Sequence, residues 1–142
     1  MVGWHYANSV KLKPGAKKLV EKLNAKGVPL GLGTSNSREL AEKVLVQTGV
    51  WHYFVSVVTG DQQLLGKPWP DIYLKGAQEL DLEPADIIVV EDTLTGIQAA
   101  KAAGMRAVAI FDPDSEEFRP QIEELADAYA RNYKELSELL EI

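Results

Sequence analysis

The stretch that most constrains this fold is Asp86-Ile87-Ile88-Val89-Val90-Glu91-Asp92-Thr93-Leu94-Thr95-Gly96, where a short apolar run stops on two adjacent acids and the pattern turns helical. Four consecutive β-branched residues, Ile87 to Val90, suit a strand buried on both faces, the usual state of a strand in a parallel sheet. Such a strand delivers Glu91 and Asp92 to the carboxyl edge, where open α/β sheets bind ligands at a reversal of strand order. Mg2+ takes one or two protein carboxylates, keeps several waters and usually also holds a substrate phosphate, so the acid pair suits a half-site for it. Asp92 suits equally well the cap of a helix beginning near Thr95.

The rest of the chain alternates in the same way. From Pro14 a helix is signalled by Ala16, Leu19, Val20 and Leu23 at helical spacing, with Gly27 as its stop. A strand over 28–33 runs into Thr34-Ser35-Asn36-Ser37, small hydroxyl and amide side chains that open the helix carrying Leu40, Val44 and Leu45. Such a cluster can cap the helix or hold an anion, because a helix N-terminus presents free N–H groups and a favourable dipole. After Gly49, a strand over 53–59 leads to a loop over 60–70, in which Pro68 and Pro70 restrict the backbone around Trp69 and stiffen the support of Lys67. A helix over 71–80 places Tyr73, Ala77 and Leu80 inward, and the strand described above follows. Then come a helix over 95–103, a strand over 105–110, an acidic turn at 112–115 and a polar helix through Leu125. A short edge strand over 128–130 precedes a last helix, opened by Asn132 and Glu135 as a capping box, that buries Tyr133, Leu136 and Leu140. Residues 1–12 show no clear period and read as coil. Strands alternating with helices imply a layered α/β domain with a parallel sheet.

Composition narrows the function. The net charge of -6, from 15 basic against 21 acidic residues, argues against a nucleic-acid surface, which needs clustered Lys and Arg. With no cysteine, disulfides, zinc-thiolate sites and thiol catalysis are excluded. No apolar run is long enough to span a bilayer, and Met1 to Val10 lacks the regions of a signal peptide, so a cytoplasmic setting without membrane contact is expected. His5 and His52 have no partner at metal-ligand spacing and read as packing residues, and Trp4, Trp51 and Trp69 as core or surface aromatics.

Thr34 after a strand, Lys67 in Gly66-Lys67-Pro68-Trp69-Pro70-Asp71, and Glu91-Asp92, in this chain order, resemble the haloacid dehalogenase superfamily, in its phosphatase and phosphomutase branch. The Ala99-Ala100-Lys101-Ala102-Ala103-Gly104-Met105 run is also similar to that family. The resemblance covers residues 12–140 and implies a three-layer, Rossmann-like domain. It implies that Thr34 hydrogen-bonds a phosphoryl group with Ser35 and Asn36 near it. Lys67 then neutralises charge, Asp92 binds Mg2+, and Glu91 acts through a metal-bound water or by orienting its neighbour. The implied activity is Mg2+-dependent hydrolysis of a small phosphorylated metabolite through an aspartyl-phosphate.

One departure weighs against that activity. The family's nucleophile is the first Asp of an Asp-x-Asp motif on an N-terminal strand, and this chain has no Asp before Asp61. Residues 1–11 are therefore read as a remnant of cap or linker and 12–142 as the α/β core, with the central strand of the family missing and the form truncated and inactive. Two buried strand edges left by that gap predict a homodimer, a partner supplying the strand, or direct pairing of the flanking strands. Asp112-x-Asp114 is rejected as a substitute because Glu117 fills the Thr or Val place and the family's last core strand accounts for these residues. The competing reading is a non-catalytic domain that keeps the phosphate and metal half-site. A receiver domain is excluded by order, since there the acid pair comes early and the lysine last.

Overall fold

The structure, a computed structural model, describes residues 3–6 by their backbone and residues 15–142 with their side chains. Six strands form one sheet in the order β3-β2-β1-β4-β5-β6, all parallel: β1 Gly3–Tyr6, β2 Leu30–Gly33, β3 Phe54–Val58, β4 Ile87–Glu91, β5 Arg106–Ile110 and β6 Ala128–Ala130. Between and after them run α1 Ala16–Ala25, α2 Arg38–Gln47, α3 Asp71–Leu80, α4 Leu94–Ala102, α5 Arg119–Leu125 and α6 Tyr133–Leu139. This is the doubly wound arrangement, and the strand order reverses between β1 and β4.

Alternation along the central strands divides the core into two layers. Val90 of β4 with Val108 and Ile110 of β5 joins Leu19, Val20 and Leu23 of α1, Leu45 of α2 and Leu136 of α6. Ile87 and Val89 of β4 with Ala107 and Ala109 of β5 face Tyr73, Ala77 and Leu80 of α3, Ile97 and Ala100 of α4 and Ile122 of α5. Ile87, Val89 and Val90 are buried and Ile88 is half-buried, so the strand is covered on both faces as expected of the Ile87–Val90 run. The expected elements recur with shifted ends: Tyr53 closes a 3-10 turn before β3, and a 3-10 turn, Pro113–Phe118, precedes α5. Asn132 caps α6 through Glu135 N at 2.9 Å, but the Glu135 carboxylate reaches the N–H of Arg131, at 3.0 Å, one residue before the cap. The boundary at residues 11 and 12, and Pro14 ahead of α1, lie outside the described residues. Among the described residues no helix is long and apolar enough to cross a membrane.

The sheet corrects one expectation. The central position read as missing is filled by Gly3–Tyr6, within the stretch read as coil: Trp4, His5 and Tyr6 stand opposite Leu30, Gly31 and Leu32, and Gly3 to Tyr6 stand opposite Ile87 to Val90. β2 and β4 therefore neither pair directly nor leave a gap for a partner's strand. The reason is that a ladder is made by backbone groups. Two flanking edges rich in N–H and C=O select any segment that can extend between them, and side-chain period alone does not reveal it. Proline at position 5 removes a backbone donor from a strand enclosed on both sides. His5→Pro is expected to lower the stability of the chain by about 1–3 kcal/mol, the cost of one unsatisfied buried group, in urea denaturation. An unchanged midpoint would show that β1 does not occupy the centre of the sheet.

Candidate functional site

Three segments distant in sequence meet at the carboxyl edge. Thr34, Ser35, Asn36, Lys67, Glu91, Thr93 and Thr95 line one depression of about 180 Å3. Thr34 directly follows β2 and Glu91 ends β4, so the two flank β1 where strand order reverses. Asp92 lies in the same turn, buried to 4% exposure, and is not among the lining residues.

The hydroxyl loop is held by its own backbone and by its neighbour. Thr34 N donates to Val58 O at 2.9 Å, prolonging the β2–β3 ladder, and the Thr34 hydroxyl accepts Asn36 N at 3.2 Å. Ser37 caps α2 by accepting Leu40 N, which leaves Thr34 to Asn36 ahead of the helix. Gly60 N donates to Asn36 O at 2.9 Å, and a Cβ on Gly60 would stand 2.3 Å from Ser35 O, so this close approach requires glycine. Asp61 joins both ends of the contact, accepting the Thr59 hydroxyl at 2.6 Å and Arg38 N at 3.2 Å. The Thr59 hydrogen bond, then that from Arg38, holds its carboxyl below the ordinary value.

Lys67 sits in a braced loop. Trp69 N donates to Gly66 O across the cis Lys67–Pro68 bond, and Leu65 N donates to the Asp71 carboxylate. Lys67 Nζ meets Glu91 Oε2 at 2.7 Å, with the two side chains 8% and 0% exposed. The same Oε2 accepts the Tyr73 hydroxyl, while Oε1 faces Asp92 N at 3.2 Å and the Thr93 hydroxyl at 3.3 Å. Burial pushes the Glu91 carboxyl up, but the Lys67 charge and the hydrogen bonds from Lys67, Tyr73 and Asp92 N outweigh it and leave it below the ordinary value. Thr93, not Asp92, caps α4, its hydroxyl accepting Gly96 N at 3.0 Å. That removes the capping alternative for Asp92.

The remaining candidates fall elsewhere. Asp112 accepts Asp114 N at 2.8 Å as the cap of a 3-10 turn, and lines a separate depression with Phe111, Pro113, Arg131 and Tyr133. His52 lies beside Tyr53, Trp51 stacks with Arg38 and Trp69 is exposed, whereas the side chains of Trp4 and His5 lie outside the described residues. Sequence reasoning missed Thr93, Thr95, Tyr73, Gly60, Asp61 and Gly96. Only the hydroxyls directly after the acid pair gave a signal that could have been read.

Two outcomes test this geometry. A Cβ on Gly96 would stand 1.9 Å from Glu91 Cδ, whereas one on Gly66 meets nothing within 4 Å. Gly96→Ala is expected to destabilise the chain by about 1–3 kcal/mol in urea denaturation despite its better helix propensity, and Gly66→Ala to be near neutral. Because the Glu91 carboxyl is depressed on folding, its contribution is present above its unfolded pKa and lost as pH falls through the folded one. Lys67→Met leaves the carboxylate buried without its ammonium and is expected to cost about 3–5 kcal/mol at neutral pH. Burial then raises the Glu91 carboxyl above its unfolded value, so the deficit should shrink in acid. A deficit independent of pH would contradict the pairing.

The profile of the haloacid dehalogenase-like hydrolases matches residues 5–104. Fructose-1-phosphate phosphatase YqaB of Escherichia coli is 43% identical over 82 residues, which are 58% of this chain and 44% of that protein. Beta-phosphoglucomutase of Bacillus subtilis is 37% identical over 99 residues, 70% of this chain and 43% of that one. The crystal structure of CbbY from Rhodobacter sphaeroides in complex with phosphate superposes with a TM-score of 0.78 at 30% identity, covering 89% of this chain and 56% of that chain. The chain thus spans about half the length of these relatives. The ordered Thr34, Lys67 and Glu91-Asp92 motifs, their meeting at one sheet edge and this matched span together show that the chain belongs to the haloacid dehalogenase-like hydrolases, in their phosphatase and phosphomutase branch.

Proposed function

We propose that the depression between Thr34, Lys67 and Glu91 binds the phosphoryl group of a small phosphorylated metabolite with Mg2+, as the half-site of a phosphatase. The observation that carries this reading is that Lys67 lines one depression with Thr34, Ser35 and Asn36, at the carboxyl edge of a parallel sheet. The Thr34 hydroxyl, which accepts from Asn36, keeps its proton to donate to a phosphoryl oxygen. Lys67 spends one N–H on Glu91 and has two more to turn toward an anion. The pair keeps the lysine in place, which is what positioning and electrostatic stabilisation of transferring phosphoryl charge require.

The acid pair suits Mg2+, which takes one or two protein carboxylates and keeps several waters: Glu91 lines the depression and Asp92 follows it in the same turn. Asp92 would be the direct ligand. Glu91, with Lys67 and Tyr73 on one oxygen, would act through a metal-bound water or by orienting its neighbour. When bound, Mg2+ supplies charge stabilisation to phosphate oxygens.

In this reading the chain as it stands binds without hydrolysing. A double displacement needs a carboxylate in line with phosphorus and an acid for the leaving group, and no Asp precedes Asp61. The second reading, a phosphate- and metal-binding domain without catalysis, is favoured by the same absence. In calorimetric titration with inorganic phosphate and Mg2+, Thr34→Val and Lys67→Ala should each weaken binding by roughly tenfold or more, the size of a lost hydrogen bond to a charged group. Assays with an aryl phosphate should give no turnover by the 142-residue chain. Turnover abolished by Asp112→Asn would instead require a rearranged active site, and no phosphate binding at millimolar concentration would remove the half-site reading.

A further inference from the structure

Tyr73 is fully buried, and phosphate binding as described gives it no task. It stands in the first turn of α3, six residues after Lys67, packed in the core layer that includes Ala77, Ile87, Val89 and Ile97. Packing alone would be served as well by phenylalanine. The hydroxyl is placed otherwise: it donates to Glu91 Oε2, the oxygen that Lys67 Nζ meets at 2.7 Å. The ring also lies under the ammonium, with Nζ 5.3 Å from its centroid, within the range of a cation–π contact. One phenol therefore touches both members of the ion pair.

An isolated carboxylate–ammonium contact leaves the carboxylate free to rotate about its last torsion. Here Oε1 has only the longer contacts at 3.2 and 3.3 Å, so the direction of the carboxylate is set chiefly at Oε2. Two donors on that oxygen fix the plane of the group, and Gly96 allows α4 to close against the carboxylate. We propose that Tyr73 is a positioning residue that clamps the Glu91 carboxylate by its hydroxyl and supports the Lys67 ammonium by its ring, so that the lysine is held at the depression that Thr34 also lines. Its effect on phosphate binding rests on the function proposed above; the clamp itself does not.

The clamp is read from the reactivity of Lys67. In the full chain, limited acetic anhydride labelling mapped by mass spectrometry should modify Lys67 roughly tenfold faster in Tyr73→Phe than in the unmutated protein, the fold-change expected for losing one hydrogen bond to a charged group. The exposed Lys17 and Lys43 should label at unchanged rates, which separates local release from general unfolding. In a double variant, Tyr73→Phe should add nothing to the labelling already caused by Glu91→Gln, since it acts through that carboxylate. Unchanged labelling of Lys67 in a folded Tyr73→Phe protein overturns the proposal. If that variant does not fold, proton NMR of the unmutated chain decides: a sheltered Tyr73 hydroxyl proton with a cross-peak to the Lys67 ammonium supports the clamp, and its absence overturns it. Titration with inorganic phosphate should show weaker binding in Tyr73→Phe than in the unmutated chain. If the unmutated chain binds no phosphate, the proposed function fails, while the labelling still decides the role of Tyr73.

Discussion

The structure depends on the ion pair between Lys67 and Glu91. Removing two charges from water is costly, and the cost is recovered only when geometry is good and the remaining polar positions are satisfied. Both conditions are met: the contact is 2.7 Å, and the carboxylate also has Tyr73, Asp92 N and Thr93 around it. Like any buried pair, it is weak evidence for stability as such. Its effect is to fix two segments 24 residues apart against each other, which converts a flexible lysine into a charge of defined position.

Close backbone approach makes that arrangement achievable. Gly96 lets α4 pass beside the Glu91 carboxylate, and Gly60 lets the turn after β3 press on Ser35 O. These two glycines permit the close approach, because a Cβ at either would collide with Ser35 O or with the Glu91 side chain. The loops at this edge are thus shaped by what is absent from their side chains. Asp61, by joining Thr59 to the start of α2, keeps the hydroxyl loop from drifting once it is pressed.

The doubly wound sheet supplies the frame. β2 and β4 flank β1 at the reversal of strand order, so their ends diverge and leave a crevice. Relatives of the same family use this architecture, and the span matched here carries the hydroxyl, lysine and acid motifs.

Much of this was legible in the residues. The Ile87–Val90 run pointed to a strand covered on both faces because four consecutive β-branched side chains leave no polar face for solvent, and the order of Thr34, Lys67 and Glu91-Asp92 pointed to the family. Helices with strong apolar spacing, such as Asp71–Leu80, were readable for the same reason. The sequence alone could not show that Gly3–Tyr6 takes the central strand position, because backbone groups of neighbouring strands recruit it and leave no side-chain signature. Nor could it show that Tyr73 serves Glu91 as well as the core, that Thr93 and not Asp92 is the cap, or that a Cβ at Gly60 or Gly96 would collide with Ser35 O or with Glu91 Cδ. Periodicity reports which face of an element is buried. Which atom on that face meets which partner is decided only when separate elements are brought to within a hydrogen bond of each other.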